Sequence, residues 1–150
     1  FYFGEGSMAS IELHPLGKIE YELGEQIDLG EGPKGHRMII NVVSATLTAA
    51  DFSAELATED AADWATLSEE GTLASLDVRA TFKTDDEAII YVEYGGRMDM
   101  TTGLLATAPT FQTSAPRYLW LNRVQAVAAG EINPDTGQLI YTLFEARPIA

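Results

Sequence analysis

The sequence contains no cysteine and few basic residues. Without cysteine the chain has no disulfides, no thiolate metal sites and no cysteine nucleophile. Lysine and arginine together number 9 against 23 acidic residues, which gives a formal charge of −14. Such a negative surface repels phosphate backbones and anionic lipids, so we expect neither a nucleic-acid partner nor a membrane partner.

Long apolar runs and established site motifs are also missing. No segment approaches the ~20 consecutive apolar residues of a membrane-spanning helix. The two histidines, His14 and His36, do not stand at metal-ligand spacing, so we expect no metal site. The chain has no Gly-x-Ser-x-Gly elbow, and its Gly-x-Gly runs do not open a helix after a strand. The sequence therefore favours a function without metal or cofactor.

The chain opens with an aromatic and glycine-rich run that has no basic or long apolar segment. The run Tyr-Phe-Gly-Glu-Gly-Ser-Met at 2–8 resembles a protease-site scar, so we interpret residues 1–7 as an expression-tag remnant. We expect residues 8–150 to form one domain, since this length suffices for a single core. We also expect a cytoplasmic location.

Strand signals dominate the rest of the sequence. β-branched and aromatic residues recur in short runs separated by turn residues, as in the hairpin turn at 133–137. The runs lie at 19–29, 37–47, 52–56, 64–67, 73–83, 88–94, 110–113, 118–128 and 138–146. Residues 96–117 are the least regular long segment. This profile predicts an all-β fold, a single antiparallel, closed or nearly closed barrel of about eight to ten strands, lipocalin-like in shape.

The strand at 73–83 has two chemically different faces. Leu76, Val78 and Phe82 share the apolar face, while Asp77 and Arg79 share the polar one, because side chains alternate along a strand. In an antiparallel sheet one face is commonly solvated. The alternation alone leaves open which of the two faces lines the inside of the barrel.

Several stretches together resemble a known family. They are Gly35–Arg37 with the apolar strand that follows, Ala62–Trp64, Asp77 with Thr84–Asp86 and Ile90–Val92, and Arg117–Asn122. In this combination the chain is similar to the family called domain of unknown function 3237 over residues 16–147. The resemblance implies an antiparallel β-barrel and implies no activity. It places Arg37 among the candidate ligand-binding residues.

The first candidate site is the polar face around Asp77. If it points inward, Asp77, Arg79, Tyr91 and Glu93 bring acid, base and phenol groups into a partly dry space, and we predict them as catalytic residues. Such groups suit proton abstraction next to a carbonyl. If the face points outward, the same residues form an ordinary solvated surface.

The second set contains candidate ligand-binding residues. Trp120 and Asn122, with Arg117 nearby, would suit a planar carbonyl or carboxylate compound. The alternative is that Trp120 belongs to the core and Asn122 satisfies backbone groups. The remaining candidates are Asp63, Trp64 and Arg97. For Trp64 the sequence favours a core position over a ligand contact, and Arg97 could hold an anion or be a surface charge.

Two functions remain open at this stage. The first is a cofactor-free isomerase, cyclase or lyase that acts on a small carbonyl or aromatic compound inside the barrel. The second is a lipocalin-like protein that binds such a compound without chemistry. A structural barrel that forms homo-oligomers is a further possibility, because fold does not decide function.

Overall fold

The computed structural model describes residues 8–150, so the segment 1–7 that we interpret as a tag remnant lies outside the described residues. Ten strands and one 3-10 helix follow one another along the chain. Their bounds are β1 Ser10–Gly32, β2 Gly35–Ala49, β3 Phe52–Leu56, β4 Ala62–Leu67, β5 Leu73–Thr84, β6 Ile89–Asp99, β7 Leu104–Thr107, β8 Thr110–Gln112, the 3-10 helix Pro116–Arg123, β9 Ala126–Asn133 and β10 Gln138–Ile149.

The strands form one antiparallel sheet that closes on itself, which confirms the predicted barrel. Going around the ring, the order is β1, β2, β4, β5, β6, β7, β9 and β10, and β10 pairs with β1 to complete it. The eight strands of the ring thus follow one another in chain order, as in an up-and-down barrel, with β3 and β8 outside this order. Closure leaves no open edge in the ring itself.

Two positions in the wall are each shared by a pair of short strands. β3 and β4 both lie between β2 and β5, one near each end of the barrel. In the same way, β7 and β8 both pair with β6, and a bridge from Thr110 to Gln125 links β8 to the region before β9. Residues 96–117, predicted to be irregular, therefore contain the two short strands β7 and β8, which together fill one position of the wall.

The apolar face of β5 lines the inside of the barrel. Leu76, Val78 and Phe82 are buried, whereas Asp77 and Arg79 are exposed. This arrangement follows the period-two alternation of the strand and the preference of apolar groups for the core. It answers the question that the sequence left open.

One end of the barrel is closed by the 3-10 helix, where the sequence predicted a strand over 118–128. Pro116 suits the first helical turn because its ring fixes φ and it has no amide hydrogen. Tyr118, Leu121 and Val124 recur every three residues, the period of a 3-10 helix, and all three are buried. The Tyr118 ring packs on Phe52 with 4.9 Å between centroids. Strand β9 begins only after this plug.

The other end of the barrel carries short connections only, at 33–34, 68–72, 100–103 and 134–137. The sequence predicted that β6 would stop at Gly95 and Gly96, but the strand continues through both glycines to Asp99. No helix among residues 8–150 is long and apolar enough to span a membrane. These features direct attention to the interior of the barrel opposite the 3-10 helix.

Candidate functional site

The interior of the barrel contains a cavity of about 130 Å³ at the end opposite the 3-10 helix. Most of its lining is aliphatic or sulfur-containing. The apolar lining residues include Leu23, Met38, Ile40, Val42, Leu67, Leu76, Val78, Met98, Leu105, Ile132 and Leu139. Polar groups enter this lining only from Asp63, Gln26 and three tyrosines among the described residues. The cavity is therefore an apolar space with a few polar groups, the usual composition of a small-molecule site.

Three tyrosines on different strands meet beside the cavity. Tyr141 lies edge-on to both Tyr21 and Tyr94, with ring centroids 5.9 and 5.5 Å away. Gly130 on the neighbouring strand makes room for this cluster, since a Cβ there would lie 2.6 Å from Cε1 of Tyr141. Edge-to-face packing of this kind fixes the rings and thus the direction of their hydroxyl groups.

The Tyr21 hydroxyl is buried without a hydrogen-bond partner among the described residues. Burial raises the pKa of Tyr21 and of Tyr141 well above the ordinary value, and the Asp63 carboxylate adds to the rise. The neighbouring Tyr94 hydroxyl opposes part of this effect, although its position relative to Tyr21 lacks hydrogen-bond geometry. The phenols thus stay protonated at neutral pH. An unpaired buried hydroxyl costs about 1–3 kcal/mol, which a bound polar group would recover.

Asp63 is the carboxylate of the site. It follows Ala62 on β4 and lies opposite Ile40 and Val78, both of which face the cavity. Pairing between β4 and β5 is interrupted at Trp64 and Ala65, and here Oδ1 of Asp63 accepts the backbone N–H of Asp77 at 3.0 Å. The Asp63 side chain thus supplies a hydrogen bond where the backbone pairing of β4 with β5 is interrupted, and it faces the interior of the barrel.

The surroundings of Asp63 favour its neutral form. Burial raises its pKa from the ordinary value of 3.8 to about 6. The Asp77 amide lowers it in part, the Asp77 charge raises it, and Arg37 lowers it. Arg37 donates to the Trp64 carbonyl oxygen at 2.7 Å, so it closes the other side of the same gap in the sheet. A carboxyl group with a pKa near 6 can give or take a proton at physiological pH.

The four residues predicted as catalytic do not share this cavity. Asp77, Arg79 and Glu93 are exposed on the outside of the barrel, and Tyr91 is half-buried there. Tyr91 donates to Oε2 of Glu93 at 3.0 Å. Of the two orientations that the sequence left open, the polar face takes the outward one, because the apolar residues of the same strands take the inner positions. These four residues therefore do not form an acid–base group inside the barrel.

Two further candidates also lie on the outer surface. Trp64 faces outward, since Asp63 and Ala65 on either side of it line the cavity, and the Arg79 guanidinium lies 5.8 Å from its ring centroid. It is half-buried by this contact and is not a core residue. Arg97 donates to Oγ of Ser75 and to the Gly96 carbonyl at 2.9 Å each. Both side chains have structural contacts where the sequence suggested ligand contacts.

The candidates at 117–122 belong to the closed end of the barrel. Asn122 forms two hydrogen bonds of 2.9 Å with the backbone N–H and C=O of Thr113. Arg117 contacts Asp86 at 3.2 Å and lies over the Tyr118 ring, 5.1 Å from its centroid. Trp120 is 39% exposed and packs edge-on to Phe52. Because the strand is replaced by a 3-10 helix, these residues hold the plug together and are remote from the cavity.

Of the predicted site residues, Asp63 alone lines the cavity, and the tyrosines were missed. A signal for them exists in the sequence: each tyrosine occurs among the inward residues of an apolar strand face. Tyr21 follows Ile19, Tyr94 follows Val92, and Tyr141 follows Leu139, each two positions along. A phenol at three such positions is a recurring polar group in a buried place, and it indicates a shared interior location.

Comparison with known proteins shows to which family the chain belongs. The sequence profile of a protein family of unknown function, DUF3237, matches residues 11–107 and 101–146. The chain belongs to this family. That confirms the resemblance noted from the sequence. No curated protein matches it, so the family membership brings no activity with it.

Solved structures give the same architecture for this DUF3237 chain. A β-barrel-like protein from Acinetobacter baumannii is 26% identical, with a TM-score of 0.80 over 92% of this chain and 97% of that one. A conserved protein of unknown function from Rhodopseudomonas palustris is 21% identical, with a TM-score of 0.82 over 92% and 99%. An enzyme from Penicillium herquei shares 17% identity, with a TM-score of 0.68 over 93% and 95%. Identities this low in the last two show a common fold alone.

Proposed function

We propose that the protein binds a small, largely apolar or aromatic molecule inside its barrel. The observation that carries this proposal is the apolar cavity of about 130 Å³ with Asp63 and the unpaired Tyr21 hydroxyl on its wall. An engineered apolar cavity of about 150 Å³ holds benzene, so the space suits a ligand of about one ring. The polar groups would fix the orientation of that ligand.

Binding of benzyl alcohol tests the proposal. With about eight heavy atoms, this probe is expected to bind with a dissociation constant of about 1 mM, measured by chemical-shift changes in NMR spectra. The variant Ala74→Leu places a larger side chain in the cavity wall and is expected to weaken binding at least fivefold. Ala106→Leu makes the same change on the outer face and should leave binding unaltered. Equal affinities in the two variants would locate the ligand elsewhere.

A second function, proton transfer next to a carbonyl, is favoured by the pKa of about 6 for Asp63. In such a reaction the Asp63 carboxylate takes a proton from the carbon beside the carbonyl. A new C=C bond forms, and the negative charge moves to the oxygen. The Tyr21 hydroxyl, which has no other partner, can donate a hydrogen bond to that oxygen. Return of a proton to another carbon completes an isomerisation without any cofactor.

Exchange of the methyl protons of acetophenone in D₂O tests the second function. We expect the wild-type protein to accelerate exchange and Asp63→Asn to abolish the acceleration, while the affinity for acetophenone changes less than threefold. Asp135→Asn, on an exposed turn, serves as the matched control. If the wild-type protein binds acetophenone but exchange stays at the buffer rate, the protein is a binding protein for this class of compound.

A further inference from the structure

The formal charge on the cavity wall is negative. Among the lining residues within 8–150, Asp63 is the one with a formal charge, and no lysine, arginine or histidine lines the space. Arg37 acts on Asp63 from outside this lining, where it donates to the Trp64 carbonyl oxygen. An anionic ligand would therefore meet this carboxylate in a place of low dielectric, with no cation on the cavity wall. A cationic ligand would pair with the Asp63 carboxylate and would stabilise its charged form, which burial otherwise disfavours.

A second observation points to a ligand that donates hydrogen bonds. Tyr21 is 2% exposed and lines the cavity, and its hydroxyl has no partner with hydrogen-bond geometry among the described residues, so it can accept a hydrogen bond from a ligand. The rings of Tyr94 and Tyr141 lie next to it. Aromatic faces attract organic cations, and the attraction grows when the cation leaves water.

The mouth of the barrel carries the same sign of charge. The strand ends and hairpins at the cavity end hold more exposed acidic side chains than basic ones. The exposed acidic residues there are Glu25, Asp28, Glu31, Glu69, Glu70, Asp99, Glu131 and Asp135. A negative rim raises the local concentration of cations and repels anions before they reach the interior.

We propose that the ligand of this cavity is a small organic ammonium ion of about one ring in size. Its N–H groups donate to the Asp63 carboxylate and to the Tyr21 hydroxyl, and its apolar part occupies the aliphatic region between Leu76 and Leu139. This assignment rests on the binding function proposed above and adds the charge class of the ligand to it.

Three probes of nearly equal size and different charge test the assignment: benzylammonium, benzyl alcohol and benzoate. At pH 8 and low salt we expect benzylammonium to bind at least tenfold more tightly than benzyl alcohol, and benzoate at least tenfold more weakly. NMR titration measures all three. Equal affinities of benzylammonium and benzyl alcohol would refute the cation and leave the binding function intact. If none of the probes binds, the binding function fails as well.

Variants separate the interior carboxylate from the rim. Asp63→Asn retains an oxygen that can accept the Asp77 amide, so the sheet keeps its bond. We expect it to lose at least tenfold in affinity for benzylammonium and less than twofold for benzyl alcohol. Tyr21→Phe, which removes an unpaired hydroxyl and needs no repacking, should weaken benzylammonium about threefold. Asp135→Asn on the rim should change it less than twofold. Parallel losses for both probes in Asp63→Asn would contradict the ion pair.

The pH profile gives an independent readout. The groups that act on Asp63 are Asp77 from β5, Arg37 from β2, and the phenols Tyr21 and Tyr141 from β1 and β10. As the pH falls through about 6, Asp63 gains a proton while the amine remains charged, so benzylammonium binding should weaken. Benzyl alcohol binding and the Asp63→Asn variant should show no such step. A flat profile for the wild-type protein with benzylammonium would rule out Asp63 as the partner.

Discussion

Replacing Gly96 with alanine is expected to lower the free energy of unfolding by about 3 kcal/mol, because the new methyl group meets the backbone of the adjacent strand. A Cβ at Gly96 would lie 2.3 Å from the Ala106 carbonyl oxygen and 2.9 Å from Cα of Thr107. Both atoms belong to β7, which is held between β6 and β9. Neither β6 nor β7 can move away from the other without losing backbone hydrogen bonds in the wall of the barrel.

The position before it provides the control. A Cβ at Gly95 would approach no described atom closer than the Leu76 carbonyl oxygen at 3.4 Å, which is ordinary contact. Gly95→Ala should therefore change the free energy of unfolding by less than about 1 kcal/mol, and it removes some flexibility of the unfolded chain. Chemical denaturation of the two variants measures the difference. Similar losses at both positions would show that the close approach of β7 does not limit this wall.

The second large effect concerns Asp63, and it is a gain in stability. Asp63→Asn is expected to raise the free energy of unfolding by about 1–2 kcal/mol at pH 7 to 8. The carboxyl pKa is about 6 in the folded protein against an ordinary 3.8, so the folded state binds this proton more tightly than the unfolded state does. The full shift corresponds to about 3 kcal/mol, and partial contact of the carboxylate with water reduces it.

The sign of the pH dependence follows from the same shift. As the pH rises from about 4 to 6, the folded state loses stability because the buried group must ionise, and the loss is complete above about 6. The advantage of Asp63→Asn should therefore be present at pH 7 and vanish near pH 4. Denaturant titrations at several pH values, with Asp135→Asn as the surface control, measure it. A constant advantage at all pH values would mean that the effect does not come from ionisation.

Together these expectations explain how Asp63 relates to the function. A residue that destabilises the fold at neutral pH and also lines a cavity is expected where the proposed function maintains it. The asparagine variant is expected to be more stable and less able to bind a cation. Opposite changes in stability and binding in one variant distinguish a site residue from a structural one.

Much of the barrel could be predicted from the sequence, since strand alternation and short turns carry it. β3 runs over 52–56, as the sequence predicted, and β5 differs by one residue. The 3-10 helix was missed because its aromatic and apolar residues also suit a strand, and the three-residue spacing of Tyr118, Leu121 and Val124 competes with that preference. β6 continues past Gly95 and Gly96 because neither forms a turn, and Gly96 allows the close approach of β7.

The site was harder to predict because it depends on which way each strand faces. The polar residues of β5 and β6 were predicted as catalytic groups, but they lie on the outside of the barrel. The polar groups of the interior are mainly tyrosine hydroxyls, and these tyrosines stand within apolar runs of the sequence. Asp63 was among the predicted residues, but its role depends on the interrupted pairing of β4 with β5, which the residue types of the two strands do not indicate. Such a gap leaves no local pattern, so only the three-dimensional arrangement shows the carboxylate beside the tyrosines.

The pairing of β1 with β10 has a consequence for how the molecule folds. Ser10 pairs with Ile149, so the ring closes through the contact that is most distant along the chain. Hairpins such as β5 with β6 can form early, because their loops are short and cost little entropy. Closure has to wait for the last strand to be synthesised. Until then the edge of β1 stays unpaired, and the charged side chains of Lys18, Glu20 and Glu22, at every second position along it, oppose association with other chains.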